Sequence, residues 1–257
     1  MRSLVILSML TVMSAVAFAQ DIAVVSQNQD FVSTEKQKEF FYVPKGLDAS
    51  FGAKVANVNL KIQREGNKNS LAPTFYALWK QANTMGANSF FISEMNYSEE
   101  KKQYDIIVEL RLLKGDEIKA AQKLYPANLV VVFGDINTKK EDKGKNFNFN
   151  KEKHTVMPYQ FVTYQNPIGE KVMVSTGGMT NTRNSFKGED GKLPVFLSLG
   201  GISVSSGGRD GVGGVGMTIS SGDITHLDLN LGLFLIHVTM VTFSPSPKPP
   251  STQTPAI

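Results

Sequence analysis

The chain has 257 residues, a formal charge of +4 and 41% apolar residues. That length can build a buried core without crosslinks. The absence of cysteine excludes disulfide frameworks, zinc–thiolate sites, a thiol nucleophile and a lipid-bearing cysteine at a processing site. Its 27 Lys and Arg are interspersed with 23 Asp and Glu, a soluble lysine-rich surface rather than the clustered basic stripe of a nucleic-acid binder.

The N-terminus places Arg2 before an apolar run from Leu4 to Val16, followed by Ala17-Phe18-Ala19. That order is a secretory signal, expected to be cleaved between Ala19 and Gln20. The run is too short to serve as a membrane-spanning anchor. The mature chain is therefore expected to be secreted or periplasmic.

Residues 20–52 form an N-terminal segment with one expected strand, Gln37 to Val43, turned by Pro44-Lys-Gly46. Ala53 to Arg64 places Val58, Leu60 and Ile62 at period two, the pattern of a half-buried strand. After the turn Glu65 to Asn69, Ser70 is suited to cap a helix. Leu71, Phe75, Leu78, Trp79, Ala82 and Met85 then recur at helical spacing. Pro73 fits the first turn, and Gly86 fits a left-handed C-cap. Ser89 to Tyr97 and Gln103 to Leu113 read as an antiparallel hairpin about Ser98 to Lys102. The helix between strands predicts a right-handed crossover that pairs 53–64 with 89–97 in parallel.

The run YALWKQANTMGANSFFI, residues 76–92, resembles the small β-α-β domains of bacterial envelope and YbjQ-like proteins, in which a helix ends in a Gly-Ala-Asn turn before a strand. The resemblance covers under a third of the chain and implies a fold class. It carries over no site residues.

Gly115 to Tyr125 reads as a short helix or linker ending at Pro126, where a domain boundary is expected. Beyond it come short β-type runs: Asn128 to Ile136, Lys145 to Lys151, Thr155 to Gln165, Glu170 to Ser175, Pro194 to Leu199, Val215 to Ser220, and Thr225 to Leu231. Asn166-Pro-Ile-Gly169 suits a hairpin turn. The apolar run Leu231 to Phe243 reads as a buried strand. Residues 244–257 carry five prolines and little apolar bulk, as a disordered tail would. The expected fold class is α+β: a small β-α-β-β domain over 53–125, then an antiparallel β-sandwich over 127–243.

Candidate chemistry is sparse. Gly211, Gly213 and Gly216 match G-x-G-x-x-G inside a stretch, Gly200 to Gly216, with eight glycines. A β-like run, not a helix, follows, so the loop lacks the helix N-terminus that a dinucleotide fingerprint requires. It reads as a connection between strands. His154, His226 and His237 are far apart in sequence. His226, Asp228 and neighbouring Asp223 are the nearest approach to a cation site, but an ordinary strand row explains them. Asp190-Gly191 and Asp210-Gly211 read as turns. No G-x-S-x-G marks a nucleophilic serine. Lys139 to Lys153 reads as a solvated edge hairpin guarded by lysine. Asn96-Tyr97-Ser98 is a formal glycosylation sequon.

No cofactor, metal or nucleic acid is expected, and no catalytic residue is identified. The reading is an exported, non-catalytic binding or structural protein of the bacterial envelope or extracellular space. Its partner would be an envelope or surface protein or a glycan, and self-assembly is a further outcome. The alternative is a secreted hydrolase whose carboxylates pair only in the fold.

Overall fold

The computed structural model describes residues 21–28, 31, 39–47, 50–63, 71–136, 143–176, 183–200, 220–221 and 224–243. The signal segment, the Ser70 cap, the glycine-rich stretch beyond Gly200 and the proline-rich tail lie outside them. The described strands form three sheets, and the fold is α+β.

The five-stranded sheet contains β1 (Asp21–Gln27), β2 (Phe41–Tyr42), β3 (Ala53–Gln63), β4 (Ser89–Ser98) and β5 (Gln103–Leu112), in the order β1-β3-β5-β4-β2. Helix α1 (Leu71–Thr84) joins β3 to β4. Its apolar period has the expected consequence: Leu71, Ala72, Phe75, Leu78 and Ala82 are buried. Gly86 follows with φ +76°, the left-handed conformation that glycine adopts without steric cost.

The expected parallel pairing of β3 with β4 does not form. Both strands pair antiparallel with β5, which lies between them. They run parallel across that intervening strand. The tight β4–β5 hairpin decides the order, because it closes locally and occupies the edge the crossover would have used. The first strand is also shorter than expected, reduced to β2, and β1 was not foreseen.

Beyond α2 (Gly115–Lys123) lie two more sheets. The six-stranded one contains β6 (Leu129–Phe133), β9 (Gln160–Gln165), β12 (Val195–Ser198), β13 (Ser220–Ser221), β14 (Ile224–His226) and β15 (Met240–Phe243). The four-stranded one contains β7 (Lys145–Phe149), β8 (Glu152–Val156), β10 (Lys171–Ser175) and β11 (Arg183–Lys187), in the order β11-β10-β7-β8. Three expectations fail here. The six-stranded sheet is mixed, since β12 pairs parallel with β6 and β15 parallel with β9. Asn166 to Gly169 is not a hairpin turn, because β9 and β10 belong to different sheets. The chain crosses between layers there, held by Asn166 Nδ2 donating to Phe186 O at 3.1 Å and Asn166 N–H donating to Asn128 O at 2.9 Å.

The third failure is helix α3 (Leu229–Val238), where strands were expected across 225–231 and 231–243. Leu231, Gly232, Leu233, Phe234, Leu235 and Val238 are all buried. A helix apolar on all sides has no stripe to read, so periodicity cannot separate it from a buried strand. Asp228 caps it, its Oδ1 accepting from Asn230 N–H at 2.9 Å and Leu231 N–H at 3.1 Å. Gly232 is required by packing: a Cβ there would lie 2.1 Å from Phe196 Cγ.

Successive residues of β6 show the layering. Val131 and Phe133 join one apolar cluster with α1, α3 and the five-stranded sheet. Val130 and Val132 face the opposite way and join Phe147, Phe149, Val172 and Val174 of the four-stranded sheet. The six-stranded sheet is thus buried on both faces. The five- and four-stranded sheets each present an outer face away from the core.

Candidate functional site

The three histidines occupy separate packing sites. His154, on β8, sits 5.5 Å from the rings of both Phe147 and Phe149. His226, on β14, lies 3.2 Å by Nε2 from Asn184 Oδ1, and burial holds its pKa below the ordinary value. His237, on α3, stacks at 4.8 Å on Tyr42. Burial, then the nearby Lys45 charge, lowers its pKa. Among the described residues no group of three or more His, Asp and Glu is placed to hold a metal ion. Asp228 does not share a strand face with His226; its carboxylate is committed to the cap of α3. Asp223 and Gly201 to Gly216 lie outside the described residues.

Tyr42, Tyr125 and His237 form a buried seam. Tyr125 Oη donates to Tyr42 O at 2.6 Å, and Tyr42 N–H donates to Asn230 Oδ1 at 3.1 Å. Burial pushes the Tyr42 phenol up to about 12, against a backbone hydrogen bond at Lys45. It raises Tyr125 as well. These groups are neutral near pH 7 and serve packing. Trp79 packs against Phe40 with centroids 6.4 Å apart, a core role rather than a ligand platform.

Concavity is slight. A shallow depression between Asn128, Asn166, Phe186 and Leu193 encloses only about 10 Å³, far below the roughly 300–1,000 Å³ of small-molecule pockets. Asn128 is held there in a left-handed conformation, its side chain bridging to the Glu189 backbone by bonds of 2.8 and 2.9 Å. This is turn architecture.

The outer sheet faces are the larger features. On the five-stranded sheet, inward Tyr104, Ile106, Val108 and Leu110 force Asp105, Ile107, Glu109 and Arg111 to the outer face. Glu109 is gripped from two sides, by Lys54 Nζ of β3 and by Arg111 at 2.5 Å. Arg111, 7% exposed, also donates to Phe51 O and sits 6.0 Å over the Phe91 ring. Partial burial pushes the Glu109 carboxyl up, but the hydrogen bonds and charges of Lys54 and Arg111 outweigh it and hold it below the usual range. A carboxylate so engaged is a poor general acid. Beside it Asn57 Nδ2 donates to Ser26 Oγ at 3.1 Å, and Gln63 Nε2 to Gln103 Oε1 at 2.8 Å. Strand β1 is the edge, with Val25 63% exposed at a register shift between Val24 and Ser26. That irregularity blunts the edge.

The outer face of the four-stranded sheet follows from the inward Phe147, Phe149, Val172, Val174 and Phe186. It carries Lys153, Asn148, Ser175 and Arg183 in one cross-strand row. Lys171 and Lys187 stand directly opposite one another. Lys153, Lys171, Arg183 and Lys187 are exposed. Of the lysine-rich run expected to form an edge hairpin, residues 143–153 are described: a β7–β8 hairpin is present, with β8 at the edge and β7 paired on both sides. Strand β11 was missed, although Arg183-Asn-Ser-Phe-Lys187 alternates polar residues with an inward Phe186.

Comparison with protein-family models, with curated proteins and with solved structures finds no match to this chain. No helix among the described residues is long and apolar enough to cross a membrane.

Proposed function

We propose that this chain is an exported, non-catalytic binding or structural protein of the bacterial envelope or extracellular space, acting through its outer sheet faces. In this reading residues 53–125 form the small α+β unit and 127–243 the sandwich-like unit, with the N-terminal signal removed between Ala19 and Gln20. The observation that carries the proposal is the pair of polar sheet faces, one outside each of the two apolar clusters that the six-stranded sheet separates. Sheet faces and edges bind partners by ordered side-chain rows, without a pocket or local motif.

The test is to purify the mature chain, residues 20–257, and combine light scattering with capture from the source's envelope and medium. A stoichiometric complex with a protein or glycan, or a defined oligomer, is the expected result. Turnover of an ester, peptide or glycoside substrate, abolished by one carboxylate substitution, would overturn it.

A further inference from the structure

We propose that the outer face of the four-stranded sheet binds an acidic, carboxylate-bearing polysaccharide. This rests on the binding reading above and names the ligand class for one of its two faces.

The argument begins with charge. In the strand register this face presents Asn148, Lys153, Lys171, Arg183, Ser185 and Lys187, with Ser175 buried between Asn148 and Arg183, and none of them is acidic. Among the described residues Lys153, Lys171 and Lys187 take part in no ion pair. Three such lysines share one face of a chain whose whole formal charge is +4. Of the neighbouring acids, Glu189 pairs with Lys192 at 3.7 Å, Glu152 lies opposite Phe149 on the inward phase of β8, and exposed Glu170 precedes Lys171 on the opposite phase of the chain. The Lys171–Lys187 pair is unfavourable by itself, since like charges directly opposite on a sheet repel. An anion laid across both lysines removes that repulsion.

Shape and chemistry then choose the anion. Lys153, Asn148, Ser175 and Arg183 form a row spanning four strands, about 15 Å at the usual strand spacing. Lys171 and Lys187 lie about 14 Å further along the strands. Cations separated by amides and hydroxyls suit a polymer that carries spaced carboxylates and many hydroxyl groups. The described residues of this face include no aromatic ring for stacking nucleobases. Among the described residues its one apolar side chain, Met173, is half-buried, too little to insert into a bilayer.

The mature chain and a K171Q/K187Q variant would be titrated with polygalacturonate, with neutral dextran as the uncharged control. Binding to polygalacturonate alone is expected, weakening as salt rises. The variant should bind about tenfold more weakly, from the loss of two exposed charge contacts. A K101Q/K119Q variant makes the same charge change elsewhere and should bind as the parent does. Both variants alter exposed side chains, and matched melting curves establish that they are folded. No binding, equal binding by K171Q/K187Q, or equal loss in K101Q/K119Q would overturn the proposal. So would tighter binding to phosphatidylglycerol-containing vesicles than to polygalacturonate. Reducing ends are assayed in the same mixtures, and their release would overturn the non-catalytic reading itself. If polygalacturonate fails while the capture experiment yields a stoichiometric complex, only the glycan assignment falls.

Discussion

The two outer sheet faces are built by the same alternation and differ in how they settle their charge. On the five-stranded sheet Glu109 stands between Lys54 and Arg111, and Arg111 covers Phe91. Lys54 and Arg111 are consumed by the fold there. On the four-stranded sheet Lys171 faces Lys187, and the register supplies no carboxylate. The first arrangement contributes to stability; the second spends a little stability on a surface that attracts anions. Exposure alone does not separate a structural polar face from a binding one. Internal compensation does.

The largest expected effect comes from breaking the compensated face. Arg111→Met leaves Glu109 partly buried with only half-exposed Lys54 beside it, and should cost about 3 kcal/mol, read from thermal or urea unfolding. Glu109→Gln leaves two cations without their counter-charge and should cost about 1–2 kcal/mol. It should also give the five-stranded face a polyanion affinity that the parent lacks there, measurable in a K171Q/K187Q background. If E109Q gains no such affinity, uncompensated charge is not what distinguishes the faces.

Acid should reveal the same asymmetry. The folded Glu109 pKa lies below the ordinary 4.5. Its contribution is therefore present above that pH and lost as pH falls through the lowered folded value. Urea midpoints should drop more steeply in this window for the parent than for E109Q. The smallest effect runs the other way. Lys171→Glu turns a repelling cross-strand pair into an attracting one and should stabilise by about 0.2–1 kcal/mol, while weakening binding to polygalacturonate about tenfold. A melting scan and one binding isotherm check both halves.

Much of the local structure was legible. The helical period from Leu71 to Met85 and the alternation in β3 and β5 correspond to observed elements, because each depends on neighbours within one turn or one strand. The strands over Lys145 to Phe149 and Lys171 to Ser175 were equally readable as β-type runs. Helix α3 was not, since its apolar residues leave no polar face to reveal the period. Its cap Asp228 and its leucine-rich, β-branch-poor interior were the available signals.

Taken alone, the sequence determined which segments form elements such as α1 and β3 to β5, and which side chains point inward. Only the tertiary structure decided strand order, sheet membership and the partners across each face. Lys54 and Glu109 are 55 residues apart and meet because β3 lies beside β5. Lys171 and Lys187 meet because β10 lies beside β11. Alternation assigns a side chain to a face through local geometry. Whether its charge finds an opposite there depends on which distant strand pairs alongside, and that is a property of the assembled sheet.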